Sequence, residues 1–190
     1  MIGYAGRLLS MKGVDVLLRA AADVASQRGH EEFTVVVMGE GPEKDRLRSL
    51  AATLGLRDRV RFLPPVPHGE MPSVLEGFDV TTMPSLTTPS LTEQFGRVAL
   101  EGMAAGSAVV VSSSGGLPTV VGDAGIVAPE GDVAALAAVL ARLIASPEER
   151  GAWGSRGRER AREHFTWSAI AAALVARYRK MLDGAPAPAA

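Results

Sequence analysis

Short apolar segments alternate with longer segments of helical period along most of the chain, and this alternation constrains the fold more than any other feature. Strands that are separated by helices pair in parallel, with the helices covering the sheet. The predicted strands lie at residues 2–5, 33–38, 60–63, 80–83, 108–112 and 125–127. The predicted helices lie at residues 14–27, 43–54, 70–76, 95–105, 133–145, 147–164 and 167–182. The pattern predicts a single doubly wound, Rossmann-like α/β domain, with about six parallel strands and helices on both faces.

The length and the C-terminal composition set the predicted domain boundary. A chain of 190 residues suits one hydrophobic core. We place the domain at residues 1–182 and expect residues 183–190, which are rich in alanine and proline, to form a disordered tail. The nearly continuous apolar run at residues 33–38 predicts a central strand, because strands buried on both faces of a parallel sheet lack polar alternation.

The charge balance and the absence of cysteine exclude several classes of function. With 20 basic and 21 acidic residues, the net charge of −1 gives no overall attraction to nucleic acid. Any membrane contact is expected to be peripheral, through the arginine-rich residues 156–162. Without cysteine there is no disulfide framework, no cysteine-bound zinc and no thiol nucleophile. No apolar segment approaches the ~20 residues that a membrane span needs, and no signal peptide follows Met1. We therefore expect a cytoplasmic protein that is at most peripheral at the inner membrane face.

Ligands of doubly wound sheets bind at the carboxyl ends of the strands, so the loops that follow strands are the places to search. In the first such loop, Arg7 follows a strand and Lys12 precedes a helix. A cation at a helix N-terminus opposes the helix dipole unless an anion lies between them. A bound phosphate would supply that anion. The alternative is that both residues are solvated surface cations.

The loop after the predicted strand at residues 33–38, Gly39-Glu40-Gly41-Pro42, is a turn of the Gly-x-Gly type. Glycine permits close approach of a ligand that a Cβ atom would block. A phosphate contact and a simple tight turn both stay open here. Neither this loop nor the first one has the Gly-x-Gly-x-x-Gly fingerprint, which argues against a dinucleotide domain of the dehydrogenase type.

The third informative segment, residues 84–106, contains a long polar loop followed by the predicted helix at 95–105. Glu93 and Glu101 would lie ~12 Å apart on one helix, farther than the ~5–9.5 Å that separates the paired carboxyls of glycoside hydrolases. The separation suits two hydroxyl-rich groups on either side of an anion, which is the layout of a nucleotide sugar. Taken singly, each glutamate is better explained as a solvated helix residue. Gly96 is a poor helix former, which suggests that a ligand excludes a side chain there.

The remaining candidates carry no predicted chemistry. His30, His68 and His164 stand far apart, with neither a metal-ligand spacing nor a Ser-His-Asp order. We therefore predict no metal site. The glycine-rich turn at residues 112–118 and the segment at 121–125 are most simply connections.

The motifs in these loops occur along the chain in the same order as in a known family. The motifs concerned are Gly6-Arg7 with Lys12-Gly13, Gly39-Glu40-Gly41-Pro42, Glu93-Gln94-Phe95-Gly96-Arg97-Val98 with Glu101, Met103-Ala104-Ala105-Gly106, and Gly115-Gly116 before Val121-Gly122-Asp123-Ala124-Gly125. Together they resemble the C-terminal domain of retaining glycosyltransferases of family 4, which have the GT-B fold. The resemblance covers residues 2–182, and its most specific part is the pair of glutamates around Gln-Phe-Gly.

The resemblance implies roles for the charged residues. Arg7 and Lys12 would neutralise the donor diphosphate in place of a metal, so that no cofactor is required. Glu93 would hold the transferred sugar and Glu101 the ribose hydroxyls. Catalysis would be largely electrostatic, through stabilisation of the departing nucleoside diphosphate. The family often has glutamate where this chain has Thr119, which leaves a polar contact there in doubt.

The resemblance also implies a set of donor-binding positions that act largely through the backbone. The transferred sugar would meet the N–H groups at the start of the predicted helix. The base would lie near Gly39 and the end of the third strand. The implied donor-binding residues are Gly6, Gly39, Phe62, Leu63, Pro64, Phe95, Gly96, Arg97, Val98 and Glu101.

The leading hypothesis is the nucleotide-sugar-binding half of a retaining glycosyltransferase that moves a hexosyl group from a UDP-, GDP- or ADP-linked donor to an acceptor hydroxyl. An N-terminal GT-B domain, in cis or in trans, would complete the enzyme. We therefore expect the isolated chain to bind donor without efficient transfer. The alternative is a non-catalytic sugar-nucleotide-binding module, or a split subunit completed by another chain.

Overall fold

The computed structural model describes residues 1–27 and 32–183. These residues form one six-stranded sheet in the order β3-β2-β1-β4-β5-β6, with every neighbouring pair parallel. Its strands are β1 (Ile2–Ala5), β2 (Val35–Met38), β3 (Val60–Leu63), β4 (Val80–Met83), β5 (Ala108–Ser112) and β6 (Ile126–Ala128). The predicted doubly wound α/β fold is confirmed.

The described residues form eight α-helices and two short 3-10 helices. The α-helices are α1 (Val14–Ala25), α2 (Lys44–Thr53), α3 (Met71–Glu76), α4 (Arg97–Ala105), α5 (Leu117–Val121), α6 (Val133–Ala145), α7 (Pro147–His164) and α8 (Trp167–Asp183). The 3-10 helices are Ser10–Lys12 and His68–Glu70. The predicted bounds of α6 and α7 are confirmed. Helix α5 was not predicted, because five residues inside a glycine-rich turn are too few to show a helical period.

The prediction that the run at residues 33–38 is the central strand is wrong in detail. Strand β2 lies inside the sheet, but β1 and β4 occupy its middle. A continuous apolar run indicates burial on both faces, which every interior strand shares. Strand β1 lacks a continuous apolar run because it contains Gly3, where an added Cβ would lie 1.9 Å from the ring of Phe78. That ring fills the space a side chain would occupy.

Helices cover both faces of the sheet. Ala108 and Val110 of β5 point into a core shared with α1 and α6, whereas Val109 and Val111 point into a second core shared with α4, α5 and α7. Helices α1 and α6 pack against each other on the first face, as do α4 and α7 on the second. The two-sided burial predicted from the apolar strands is thus present.

Helix α8 differs from the others because it buries none of its side chains. Thr166 caps its start, accepting a hydrogen bond from the N–H of Ala169 at 3.3 Å. Its exposed large apolar residues are Trp167, Ile170, Leu174, Val175, Tyr178, Met181 and Leu182. The helix ends at Asp183, one residue beyond the predicted domain end, and the rest of the predicted tail lies outside the described residues. No helix in the described part of the chain is long and apolar enough to cross a membrane.

The contact between Gly3 and Phe78 generates a stability prediction. Gly3→Ala forces the buried Phe78 ring to move, and overpacking of this kind costs about 1–3 kcal/mol. The free energy of unfolding, measured in urea, should fall by that amount. Gly151→Ala is the matched control, because an added Cβ on this exposed residue of α7 meets nothing within 4 Å. Equal stability of the two variants would contradict the packing described here.

Candidate functional site

The sheet order reverses between β1 and β4, and this reversal locates the candidate site. Strand β1 continues to β2 on one side, and β4 continues to β5 on the other. The loops that follow these two strands diverge and leave a crevice at the carboxyl edge, where doubly wound sheets bind ligands. We call residues 6–13 the first loop and residues 84–96 the second loop. Most of the sequence-predicted site residues lie in these two loops or directly after them.

The two loops are joined by backbone and side-chain contacts. The N–H of Leu86 donates to the carbonyl of Met11 at 2.7 Å. The ammonium of Lys12 lies 2.5 Å from Oε2 of Glu93, and the hydroxyl of Ser85 donates to the same oxygen at 3.3 Å. Only 21% of the Lys12 side chain and 13% of the Glu93 side chain are exposed. Lys12 and Glu93 therefore form a largely buried ion pair across the crevice.

The ion pair and the position of Glu93 correct two expectations. The anion that compensates Lys12 beside the start of α1 is the carboxylate of Glu93, 81 positions further along the chain, so a bound phosphate is not required for that purpose. Glu93 also lies in a loop, because α4 begins only at Arg97. The helical estimate of ~12 Å between Glu93 and Glu101 therefore does not apply.

Gly96 explains why the helix begins where it does. Its backbone is left-handed, with φ +78°, and an added Cβ would lie 2.3 Å from Cδ2 of Leu117. A ligand is not needed to explain the absence of a side chain here, because the chain's own backbone conformation and packing already require glycine. The glycine turns the second loop into α4 and aims the start of that helix at the crevice.

The start of α4 offers unpaired hydrogen-bond donors. No side chain that the structure describes caps this helix. Within the described part of the chain, the backbone N–H groups of Phe95, Gly96, Arg97 and Val98 donate no hydrogen bond. Free N–H groups and the positive end of the helix dipole favour an anion at this point. The predicted backbone donors are therefore brought together at one edge of the crevice.

Arg7 supplies the positive charge on the opposite side. It is exposed, and its guanidinium has no hydrogen bond or ion pair with any residue that the structure describes. Its backbone is held firmly, because its carbonyl accepts from the hydroxyl of Tyr4 at 2.8 Å and from the N–H of Leu9 at 3.1 Å. Burial raises the pKa of the Tyr4 hydroxyl well above its usual range, and the Glu93 carboxylate raises that pKa further. The hydroxyl therefore stays protonated and able to donate.

The Gly-x-Gly turn, residues 39–41, packs against the backbone of the first loop. The N–H of Leu8 donates to the carbonyl of Glu40 at 2.8 Å. An added Cβ at Gly39 would lie 1.8 Å from the Gly6 carbonyl oxygen, and one at Gly41 would lie 2.2 Å from the Leu8 carbonyl oxygen. The absent side chains make room for neighbouring backbone. Close approach of a ligand is not needed to explain these glycines.

The residues predicted to contact a base and a ribose lie at the carboxyl ends of β2 and β3 and one turn into α4. The N–H of Gly39 donates to the carbonyl of Leu63 at 3.0 Å, which brings these two predicted positions together. Phe62 is half-buried, whereas Leu63 and Pro64 are exposed at the end of the edge strand β3. Glu101 lies one turn into α4, with Oε1 3.7 Å from Nε of Arg97. It borders a cavity of about 320 Å³ between α3 and α4.

Sequence reasoning missed the side chains that anchor the second loop. Glu130, directly after β6, accepts from both the backbone N–H and the hydroxyl of Thr87, the latter at 2.8 Å. Ser112, at the end of β5, donates to the carbonyl of Ser85 at 2.5 Å. Each is a polar residue at or just beyond the carboxyl end of a strand. That position in the sequence is the signal that could have indicated them.

The glycine-rich turn before α5 holds Glu93 in place and is therefore more than a connection. The N–H of Gly116 donates to the carbonyl of Glu93 at 2.8 Å. An added Cβ at Gly115 would lie 2.0 Å from that same carbonyl oxygen, and one at Gly116 would lie 2.1 Å from the carbonyl oxygen of Gln94. The second loop is thus packed against this turn.

The histidines show no shared site. His68 and His164 lie on different elements, and His30 lies outside the described residues. Across residues 1–27 and 32–183, no group of three or more histidine, aspartate or glutamate side chains is placed to hold a metal ion.

Comparison with known proteins identifies the family. A model described as "Glycosyl transferases group 1" matches residues 1–160. The D-inositol 3-phosphate glycosyltransferase of Corynebacterium jeikeium is 36% identical over 188 residues, which cover 95% of this chain and 43% of that protein. The chain belongs to the group 1 glycosyl transferases. It spans less than half the length of the curated relatives that it matches.

Solved structures agree with this assignment. The C-terminal domain of a group 1 glycosyl transferase (LpcC) from Francisella tularensis has a TM-score of 0.76 and 25% identity, covering 87% of this chain and 86% of that one. HepE of Anabaena in complex with UDP-glucose has a TM-score of 0.78 and 25% identity, covering 94% of this chain and 48% of that one. The Rossmann-like sheet matches GT-B glycosyltransferases, which confirms the fold that the resemblance implied.

The contact between Gly116 and the second loop generates the next prediction. The backbone of Gly116 is ordinary, with φ −82°, so alanine is disfavoured there only by its clash with Gln94. Gly116→Ala should displace residues 92–96 and lower the free energy of unfolding by about 1–3 kcal/mol. Hydrogen exchange should become faster at these residues. Gly69→Ala, where an added Cβ meets nothing within 4 Å, is the control. Unchanged exchange at residues 92–96 in Gly116→Ala would show that the turn does not hold the loop.

Proposed function

We propose that this glycosyltransferase chain is the donor-binding half of a retaining enzyme of family 4. It would take part in moving a hexosyl group from a nucleoside-diphosphate sugar to an acceptor hydroxyl. One observation carries the proposal: the guanidinium of Arg7 and the N–H groups at the start of α4, which have no partner among residues 1–27 and 32–183, flank the crevice where the sheet order reverses. A diphosphate is the part of the donor that such a site fits.

The positive charges around the crevice favour a diphosphate over an uncharged ligand. Lys12 is already paired with Glu93, so Arg7 and the dipole of α4 are the first charges available to an incoming anion. A phosphate that reaches Lys12 would share the ammonium with the carboxylate. Two cations and a helix start would then neutralise the diphosphate, and we propose that they do so without a metal ion.

The carboxylates suit the two hydroxyl-rich ends of the donor. Glu93, near the end of the second loop, could accept hydrogen bonds from the hydroxyls of a hexose beside the diphosphate. We propose that Glu101, one turn into α4 and beside a cavity, accepts hydrogen bonds from the ribose hydroxyls, and that the end of β3 contacts the base. The HepE structure in complex with UDP-glucose supports this class of ligand for the fold.

We propose that catalysis is mainly electrostatic. As the bond between the anomeric carbon and the diphosphate breaks, negative charge grows on the leaving phosphate oxygen and positive charge on the sugar. Arg7, Lys12 and the N–H groups at the start of α4 would stabilise the first charge, and Glu93 would lie near the second. Donors held in place before the reaction need no reorganisation during it.

A further domain would supply the acceptor site. The matched relatives are about twice as long as this chain, and α8 carries an exposed apolar surface with no cover among the described residues. An N-terminal domain, in cis or in trans, accounts for both observations. The alternative function, a non-catalytic sugar-nucleotide module completed by another chain, shares the donor site and differs only in the absence of transfer.

Donor binding is tested by titrating the chain with UDP, GDP and ADP in a calorimeter. We expect at least one to bind. Arg7→Ala should weaken that binding by roughly 10- to 100-fold, because a hydrogen bond to a charged group contributes about 1.5–3 kcal/mol. Arg57→Ala is the control, since this exposed arginine precedes β3 at the opposite edge of the sheet.

A chelator arm in the same titration tests the proposed independence from metal. Affinity measured in EDTA should equal the affinity measured in Mg²⁺. Binding that disappears in EDTA would overturn the proposed role of the two cations. Absence of binding by all three nucleotides, or equal affinities of Arg7→Ala and the parent chain, would overturn the donor site itself.

Transfer is tested with a chimera that places the N-terminal half of the Corynebacterium jeikeium relative before Met1. With UDP-, GDP- and ADP-glucose as donors and D-inositol 3-phosphate as acceptor, the chimera should form product. The isolated chain should form none above the enzyme-free control. Product formation by the isolated chain at the chimera's rate would contradict the need for a second domain. A folded chimera that binds donor and transfers nothing would favour the non-catalytic module.

A further inference from the structure

Tyr4 lies in the middle of the sheet, and its hydroxyl reaches the first loop. Its side chain is only 2% exposed and packs in the core that β1 shares with α1 and α6. The hydroxyl donates to the carbonyl of Arg7 at 2.8 Å. A buried tyrosine hydroxyl normally finds such a partner. Here the partner belongs to the residue whose side chain lines the crevice.

No other side chain among residues 1–27 and 32–183 donates a hydrogen bond to the backbone of the first loop. The remaining contacts of this backbone are to other backbone groups, such as the N–H of Leu8 to Glu40 and the N–H of Leu86 to Met11. Within the loop, the N–H of Leu9 also donates to the carbonyl of Arg7, at 3.1 Å. The bond from Tyr4 differs because it connects this carbonyl to a side chain that is buried in the centre of the sheet.

This connection matters because the Arg7 side chain is otherwise unrestrained. Its guanidinium has no partner within the described structure, so the direction of the side chain depends on where its backbone is held. Ordering a long side chain and its peptide at the moment of binding costs affinity, and a peptide that is already ordered avoids part of that cost. The Tyr4 hydroxyl is itself too buried to contact the ligand.

We propose that Tyr4 is a positioning residue for the donor diphosphate: by fixing the carbonyl of Arg7, it sets the starting point of the guanidinium that binds phosphate. The proposal rests on the proposed function, because it assigns Tyr4 a part in that same donor site. It predicts an effect confined to the phosphate end of the ligand. The nucleoside end meets the end of β3 and α4, which Tyr4 does not hold.

The test compares Tyr4→Phe with the parent chain, using whichever of UDP, GDP and ADP binds the parent chain, together with the matching nucleoside. Tyr4→Phe should weaken binding of the diphosphate by roughly three- to tenfold, the effect of losing one hydrogen bond, and should leave binding of the nucleoside within about twofold. Hydrogen exchange at the amides of residues 7–9 should become faster.

Thr81→Val is the matched control. The Thr81 hydroxyl donates to Ser107 at 2.8 Å, also inside the protein, so its removal costs a comparable buried hydrogen bond away from the first loop. It should lower the melting temperature and leave the ratio of diphosphate to nucleoside affinity unchanged. Phenylalanine keeps the ring of Tyr4, so the variant retains its packing.

The outcomes separate the two proposals. If the parent chain binds none of the three nucleotides, the proposed function fails and the role of Tyr4 fails with it. If the parent chain binds and Tyr4→Phe keeps the same ratio of diphosphate to nucleoside affinity, only the role of Tyr4 is overturned. An equal loss of both affinities would likewise reduce Tyr4 to a structural residue like Thr81.

Discussion

The parallel pairing of β1 with β4 is the contact on which the rest of the site depends. It places the first loop beside the second loop at the only reversal of strand order in the described sheet. The backbone bond between Leu86 and Met11 and the ion pair between Lys12 and Glu93 then join the two loops. A crevice between independently mobile loops could not hold donors in fixed positions. Joined to one rigid sheet, the loops present their charges before any ligand arrives.

Glycines around the crevice act mainly on the protein itself. Gly39 and Gly116 leave room for backbone of the first and second loops, and Gly96 adopts a left-handed conformation against Leu117. Glycine near a phosphate site is commonly explained by the approach of the ligand. Here close packing of one loop upon another explains the glycines at these three positions. The ligand benefits indirectly, because closely packed loops leave the start of α4 and the Arg7 side chain well defined.

The balance of charge in the crevice differs from the balance of the whole chain. The net charge is −1, which indicates no anionic partner. Locally, Arg7 has no partner in the part of the chain that the structure describes, Lys12 is compensated by Glu93, and the N-terminus of α4 adds a partial positive charge. A carboxylate beside a cation limits the attraction for simple anions, and it leaves a hydrogen-bond acceptor where a sugar is proposed to lie. Whole-chain charge therefore says little about such a site, because Arg7, the pair of Lys12 and Glu93, and the start of α4 determine the charge at this edge.

The sequence by itself determined the fold class, because alternating apolar and helical periods admit only a parallel sheet covered by helices, and it identified the loops that line the crevice. It also located Arg7, Lys12 and Glu93 by residue type and by resemblance. Tertiary structure alone decided that Lys12 pairs with Glu93, that Tyr4 holds Arg7, and that Glu130 anchors Thr87. These partners lie up to 81 positions apart, and the order of strands in the sheet decides which of them meet. Local periodicity carries no information on that order, so the fold could be predicted and the contacts within the site could not.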